Sequence, residues 1–189
     1  MQELRPGLWT WTAPHPEWTE EQGGPDGWDR EVRSYAYDCG DWLVLFDPVA
    51  PPTLVLENLV EAKDVAVLQT CKWHARNTQE CVDQYGAHVY LGAESPELPA
   101  RIETRPAAYA EERLFWIPAL GALVAGDALL GVPHGIRVQP DSWLEGHTHD
   151  SLRDSLRPLL DLPVELILPT HGDPVVEHAH DALRAALDV

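Results

Sequence analysis

Three polar residues stand directly after apolar segments, and all three are of types that bind metal ions or transfer protons. His74 follows VAVLQTCKW, Asp127 follows ALVAG, and His171 follows ELILPT. In open α/β sheets, ligands and catalytic groups gather where the strands end at their carboxyl edge. If the three apolar strands are neighbours, these side chains should meet in one pocket.

Two cationic residues flank the first of these positions. Lys72 and Arg76 lie two residues before and two residues after His74. A guanidinium can hold a carboxylate with two parallel hydrogen bonds, whereas an ammonium acts as a point charge. We therefore expect Arg76 first, and Lys72 second, to pair with Asp127. Plain solvation at the surface is the alternative for both side chains.

Hydrophobic periodicity predicts the elements that must position these residues. Strands are predicted at 8–12, 32–38, 42–46, 65–69, 88–91, 113–117, 122–126 and 165–169, and helices at 53–62, 78–85 and 150–160. A final helix is predicted to begin with Asp173 as N-cap and Pro174 as its first residue. Hairpins mixed with single helical crossovers indicate an α/β (α+β) chain, with two sheets and helices outside them, in one domain over 1–189.

The charge balance bears on possible partners. The chain of 189 residues has 13 Lys and Arg against 31 Asp and Glu, a formal net charge of −18. An acidic surface repels phosphate backbones, whose binding requires cationic neutralisation. We therefore expect no nucleic acid and no membrane as partner, and a small-molecule ligand or substrate instead. The sequence indicates no particular oligomeric state.

Cysteine usage and the absence of a targeting pattern favour a cytoplasmic location. Cys39, Cys71 and Cys81 are odd in number and have no CxxC spacing, which is typical of reduced thiols. No apolar run approaches the roughly 18 residues of a membrane span. MQELRPGLWTW has no basic head followed by an apolar stretch, so no secretory signal is expected.

The order of these motifs resembles the metallo-β-lactamase superfamily across nearly the whole chain. LVAGDALL at 123–130 is similar to the segment with the bridging aspartate, and LILPTHG at 166–172 to the segment with the last histidine. DWLVLFDP at 41–48 resembles the strand pair before the first ligand motif. The resemblance implies a four-layer αββα sandwich of two mixed sheets, with the active site at one edge.

The sequence departs from the family pattern at most of its metal positions. The family motif HxHxDH aligns with Lys72, Trp73, His74, Ala75, Arg76 and Asn77, and no histidine occurs between Arg101 and Gly126, where the middle one should fall. Family members bind two metal ions, usually zinc, and zinc catalysis requires three firm protein ligands around one ion. Only His74, Asp127 and His171 keep ligand positions. We therefore expect no metal and no cofactor, with cations replacing the metals; zinc is the alternative.

Several candidates also have a purely structural interpretation. N-x-x-E at 77–80 is typical of an N-cap with a capping-box acid, so Asn77 is predicted to cap the helix over 78–85. His74 can be a hydrogen-bonded pocket residue, Asp127 can anchor its own loop, and His171 can order the chain into the last helix. HTHD at 147–150 fits a helix start, and His178 and His180 cannot share a helix face.

Further residues are candidates for contact with a ligand. His134 and Arg137 lie on the loop that leaves Asp127, and Trp73 and Trp143 would flank the site. Aromatic walls suit a hydrophobic small ligand, although core packing is the alternative for the tryptophans. Asn77, at a former ligand position, completes the set of residues that we predict to bind a ligand.

Three functions remain open from the sequence. The first is a pseudo-enzyme that binds a small molecule or a partner in the ancestral pocket. The second is a metal-independent hydrolase or lyase for esters, lactones or thioesters, with His74 as base and Arg76 or Lys72 stabilising an oxyanion. The third is a hydrolase with a sparse mononuclear metal site. All three use His74, Asp127 and His171 as the centre of the pocket.

Overall fold

The computed structural model describes residues 1–24, 27–91, 98–107, 112–144 and 146–188. A first sheet has six strands in the order β1 to β6, which are Gln2–Arg5, Leu8–Pro14, Glu31–Asp38, Trp42–Phe46, Asp64–Gln69 and His88–Leu91. Strands β1 to β4 form antiparallel pairs, and β4, β5 and β6 run parallel. The antiparallel strands β1 to β4 are thus followed by parallel strands, which helical crossovers connect.

A second sheet has four described strands. Its order is β12-β9-β8-β7, with β7 at Glu103–Pro106, β8 at Arg113–Ile117, β9 at Ala122–Gly126 and β12 at Leu166–Pro169. Strand β12 runs parallel to β9, and the other pairs are antiparallel. A separate hairpin consists of β10, Leu129–Val132, and β11, Gly135–Val138.

Four helices cover the outer faces of the two sheets. They are α1 at Thr53–Leu59, α2 at Thr78–Tyr85, α3 at His149–Leu156 and α4 at Ala179–Leu187. Leu56 of α1 and Cys81 of α2 pack in one core cluster with the first sheet, and Leu152 and Leu183 of α3 and α4 pack with the second. A third cluster fills the space between the sheets, where Phe46 contacts Phe115. The predicted αββα sandwich is confirmed.

Most strands predicted from periodicity lie within a residue or two of their observed bounds, but the start of the last helix was predicted wrongly. The N–H of Val175 donates to the carbonyl of Ile167, and the carbonyl of Val175 accepts the N–H of Ile167, so this segment forms an isolated antiparallel bridge. Asp173 instead pairs with Arg33 at 2.7 Å. The first N–H groups of a helix have no partner within the helix, but the N–H of Val175 is already bonded in the bridge. Helix α4 therefore begins only at Ala179.

Three short segments were missed by the periodicity. Strand β1 is mostly exposed, β7 carries charged residues, and the β10–β11 hairpin contains two glycines and a proline. Such segments lack the alternation that predicts strands. None of the helices in the described part of the chain has the length and apolar character that a membrane crossing requires.

Candidate functional site

The ends of four strands meet at one edge of the sandwich and form a pocket. Asp47 follows β4, His74 lies after β5, Asp127 follows β9, and His171 follows β12; each parallel pair places its two carboxyl ends side by side. The pocket has a volume of about 280 Å³. Its walls are formed by His15, Trp28, His74, Arg76, Asp127, Ser142, Trp143 and His171. The structure therefore brings together the three residues at the centre of the sequence analysis.

His74 lies between two carboxylates. Its Nδ1 atom is 3.0 Å from Oδ2 of Asp47, and its Nε2 atom is 3.3 Å from Oδ2 of Asp127. The side chain is 5% exposed. The Thr70 hydroxyl also lies 2.8 Å from Nδ1. Because that hydroxyl donates its proton to Asp47, a lone pair on either ring nitrogen would face only acceptor oxygens. Burial alone would lower the pKa of His74, but Asp127 and then Asp47 raise it well above the ordinary value, so the ring is an imidazolium.

Asp47 contacts the His74 ring on its Nδ1 side. Its Oδ1 accepts the backbone N–H of Thr70 at 2.9 Å, and its Oδ2 accepts the Thr70 hydroxyl at 2.6 Å. The carboxylate is 2% exposed. Burial would raise the pKa of Asp47, but His74 and then Arg76 lower it overall, so this carboxylate is ionised. The His74 ring is thus fixed in orientation by a buried anion.

Asp127 is the counterpart on the second sheet. Its Oδ2 faces His74, and its Oδ1 lies 3.3 Å from Nε2 of His171. Burial alone would raise the pKa of Asp127, but the charge of His74, followed by the contact with His171, lowers it well below the usual value. Oδ1 is buried and has no hydrogen-bond partner in the part of the chain that the structure describes. Asp127 therefore takes its counter-charge from His74, and His171 lies against its other oxygen.

The turn that presents Asp127 is supported by Glu112, which sequence reasoning missed. Oε1 of Glu112 accepts the backbone N–H groups of Asp127 and Ala128, the latter at 3.2 Å. A Cβ at Gly126 would lie 2.1 Å from that oxygen, and Gly126 has a φ of +54°, so both the turn and the close approach require glycine. Burial, and then Asp127, raise the pKa of Glu112 well above its ordinary value, which favours the neutral acid.

His171 forms the aromatic side of the pocket. Trp28 and Trp143 pack edge-on against its ring, with centroid distances of 5.3 Å and 5.6 Å. The carbonyl of His171 accepts the N–H of Gly131 at 2.8 Å, which ties the loop after β12 to β10. His15 packs in turn against Trp28 at 5.1 Å, and burial, then Arg76, lower the pKa of His15. The aromatic wall is thus built from three separate loops.

Arg76 lines the pocket, but it does not pair with Asp127 as the sequence analysis predicts. Its NH1 group donates to the backbone carbonyl of Asp47 at 3.0 Å. Among the described residues, the side-chain nitrogens within 4.0 Å of the Asp127 carboxylate are those of His74 and His171. The physical reason is proximity: His74 occupies the space against the carboxylate, so the guanidinium is left beside the backbone of Asp47. The cation that neutralises Asp127 is therefore His74.

Lys72 lies outside the pocket. Its ammonium lies over the ring of Trp73, 4.2 Å from the centroid, and 53% of Trp73 is exposed. The short 3-10 turn over Lys72–Ala75 turns His74 inward and its neighbours outward. The expected pairing of Lys72 with the pocket is therefore wrong, and Trp73 does not line the pocket either.

The other predicted contact residues are dispersed. Trp143 lines the pocket, and Arg137 lines an adjoining cavity of about 180 Å³ that shares Trp28, Trp143 and His171 with it. His134 lines a separate groove beside α4. Asn77 occupies the N-cap position of α2, but its side chain makes no capping bond. Instead its Oδ1 accepts the N–H of Ala50 at 2.8 Å, which clamps two loops together.

The donor set does not fit the two-metal centre that the family resemblance implies. Of the aligned positions in the first motif, Lys72 lies outside, Arg76 brings a guanidinium into the pocket, and Asn77 is bound to Ala50 and Glu80. One group of potential ligand atoms lies together in the described ranges: Cys71, His74 and Asp127, within 4.8 Å of one another. A single ion there would have to displace the proton of His74 and ionise the buried Cys71 thiol, whose pKa burial raises. We derive no step through a metal.

Comparison with known proteins identifies the fold. No protein-family profile matches the sequence, and no curated protein matches it. DIM-1 metallo-beta-lactamase superposes with a TM-score of 0.66 at 11% identity, over 99% of this chain and 95% of that chain. A metallo beta lactamase from Erythrobacter litoralis gives 0.65 at 15% identity, over 99% and 89%. The chemotaxis sensor ODP, solved as a peroxy diiron species, gives 0.61 at 13% identity, over 83% and 84%.

The chain therefore has the metallo-β-lactamase fold, as its motifs indicate. At 10–15% identity, the similarity concerns the path of the chain and not its chemistry. What the pocket does has to be argued from its own residues.

Proposed function

We propose that this protein binds a small molecule in a metal-free pocket, in which the imidazolium of His74 takes the place of a metal ion against Asp127. One observation carries the proposal: both ring nitrogens of His74 face carboxylate oxygens, at 3.0 Å and 3.3 Å. A buried carboxylate without a counter-ion is costly, and an adjacent cation removes that cost. The imidazolium supplies this charge from within the chain.

The same geometry weakens the hydrolase alternative in which His74 is a general base. A base must accept a proton from substrate or water, and an imidazolium has no lone pair to do so. Arg76 is held by the carbonyl of Asp47 rather than aimed at a nucleophile. The three thiols, which form no disulfide, fit the cytoplasmic location that we propose with this function.

Metal content tests the proposal directly. The full chain, purified without chelators, should contain far less than one zinc per molecule, and added zinc should not bind stoichiometrically. One zinc per chain in the native protein, lost in both Cys71→Ser and Asp127→Asn, would overturn the proposal in favour of a mononuclear metal site. The two variants are matched because each removes one of the potential ligand atoms without removing His74.

Activity assays distinguish binding from catalysis. The wild-type chain should not hydrolyse an ester, a lactone or a thioester faster than the variant His74→Gln. Metal-free turnover that His74→Gln and Asp127→Asn both abolish, while each variant remains folded by circular dichroism, would instead establish a metal-independent hydrolase.

A further inference from the structure

Arg76 is a pocket cation without an acidic partner. Within the described ranges no carboxylate lies within 4.0 Å of its guanidinium, although the chain has 31 acidic residues. A guanidinium carries five N–H donors, and the bond to the carbonyl of Asp47 uses one of them. The Nε atom is buried and has no partner in the same part of the chain. Nε is closed to solvent, so acceptor groups on a ligand would bind the N–H groups that face the pocket.

The backbone of Arg76 is held in a strained conformation that points to a function. Its φ of 36° and ψ of −121° lie outside the regions that side chains with a Cβ normally adopt. The loop is fixed on its far side, where the N–H of Asn77 donates to Pro48 at 3.1 Å and Asn77 Oδ1 accepts from Ala50. Strain of this kind persists where the surrounding structure fixes it, and it clusters at ligand-binding positions.

Local charges do not oppose an anion. Asp47 and Asp127 both lie against His74, at 3.0 Å and 3.3 Å, and Arg76 adds a second cationic group to the pocket. The net charge of −18 belongs to the whole chain, and charges beyond about 8 Å are screened at physiological salt. Contact with the guanidinium therefore decides which ligand charge the pocket favours.

The walls add an aromatic preference. Trp28 and Trp143 line both the pocket and a connected cavity of about 490 Å³. Ring surfaces of this kind stack on aromatic ligands, with the polar end of the ligand fixed by a few placed groups. The volume of about 280 Å³ suits a molecule of one or two fused rings.

We infer that the pocket binds a small aromatic carboxylate, whose carboxyl group is held by Arg76 and whose ring packs against Trp28 and Trp143. This inference rests on the proposed metal-free binding function. The free N–H groups of the guanidinium would form charge-assisted hydrogen bonds, and their planar arrangement selects a carboxylate over a point anion.

Three indoles of similar size test the inference by isothermal titration calorimetry on the full chain. Indole-3-acetate is an anion, 3-methylindole is neutral, and tryptamine is a cation. Indole-3-acetate should bind tightest. Arg76→Gln should weaken it by about 10- to 100-fold, the effect of losing a hydrogen bond to a charged group, and Arg76→Lys should weaken it less. Arg184→Gln, the same change in an exposed residue of α4, is the matched control and should bind as the wild type does.

Each other outcome has a defined meaning. Equal binding of indole-3-acetate and 3-methylindole, with Arg76→Gln unchanged, would show a pocket without carboxylate recognition and would leave the proposed function standing. Failure of all three indoles to bind would overturn the aromatic carboxylate itself. Stoichiometric zinc in the same preparation would overturn the proposed function independently of the indole results.

Discussion

Nε2 of His74 and Oδ2 of Asp127 lie 3.3 Å apart, and this contact joins the loop after β5 of one sheet to the turn after β9 of the other. The two sheets also meet through apolar side chains such as Phe46 and Phe115, and through the ion pair of Arg33 with Asp173. A charged pair inside this boundary is stable only while both charges are present, because each offsets the cost of burying the other. His74 is therefore as much a part of the fold as of the pocket.

Removing His74 should destabilise the protein strongly. His74→Ala leaves Asp47 and Asp127 without their shared cation, and loss of one partner from a buried ion pair costs about 3–5 kcal/mol. Urea unfolding followed by circular dichroism measures the change in the free energy of unfolding. His178→Ala is the matched control, since that side chain is 85% exposed, and it should cost less than about 1 kcal/mol. Equal changes in the free energy of unfolding for the two variants would contradict a structural role for His74 between Asp47 and Asp127.

Stability should also depend on pH through His74. Burial would lower its pKa, but Asp127 and Asp47 raise it well above the ordinary 6.5. Below pH 6.5 the ring is protonated in both the folded and the unfolded chain, so its stabilisation is complete. As the pH rises further, the unfolded chain loses this proton first, and stability falls by up to about 1.4 kcal/mol per pH unit until the folded ring titrates.

Comparison with a variant isolates this effect from the other histidines. The free energy of unfolding of the wild type should fall between pH 7 and pH 9, and the slope for His74→Gln should be smaller. The pKa values of Asp47 and Asp127 are lowered, so these two carboxylates affect the free energy of unfolding only at acidic pH, where their stabilisation is lost as the pH falls. Identical slopes for the two proteins above pH 7 would show that His74 is not an imidazolium in the folded chain.

The fold could be predicted because its strands are apolar and its motifs stand in a recognisable order. Strands β4, β5, β9 and β12 are buried runs, and the polar residues after them meet because parallel strands align their carboxyl ends. Asp127 and His171 meet by that rule, since β9 and β12 are parallel neighbours, whereas His74 follows β5 of the first sheet and meets them because the two sheets pack together. No comparable rule applies to β1 or to the β10–β11 hairpin.

The partners of the site residues could not be predicted, because they depend on side-chain packing between distant segments. In the sequence, Asp47 belongs to a DP dipeptide that indicates only the end of a strand. Its contact with His74 joins residues 27 positions apart. Glu112 has no motif around it, although a glycine before Asp127 is a weak signal of a close approach. Arg76 was expected at Asp127 because of its charge and its planar donor geometry, whereas His74 already fills that space.

Asn77 can be tested for two roles, a local one as helix N-cap and a tertiary one in the contact with Ala50. The sequence predicts an N-cap, but Asn77 Oδ1 accepts the N–H of Ala50 instead of a helix N–H. Asn77→Ala should cost about 1 kcal/mol through the loss of this bond. Serine is as good an N-cap as asparagine, but its shorter side chain does not span the gap to Ala50, so Asn77→Ser should be as unstable as Asn77→Ala. Full stability of the serine variant in urea unfolding would restore the capping interpretation.

Glu112 should tolerate loss of its acid group but not of its acceptor oxygen. Burial and then Asp127 raise its pKa, which favours the neutral acid, and Oε1 accepts two backbone N–H groups of the turn at Asp127. Glu112→Gln keeps a carbonyl oxygen at this position, so its free energy of unfolding at neutral pH should lie within about 1 kcal/mol of the wild type. Glu112→Ala leaves both N–H groups buried without an acceptor, at a cost of about 1–3 kcal/mol each. An ionised Glu112 would give a different result. Glu112→Gln would then lose a charge beside His74 and become less stable, and the glutamine and alanine variants would unfold at similar urea concentrations.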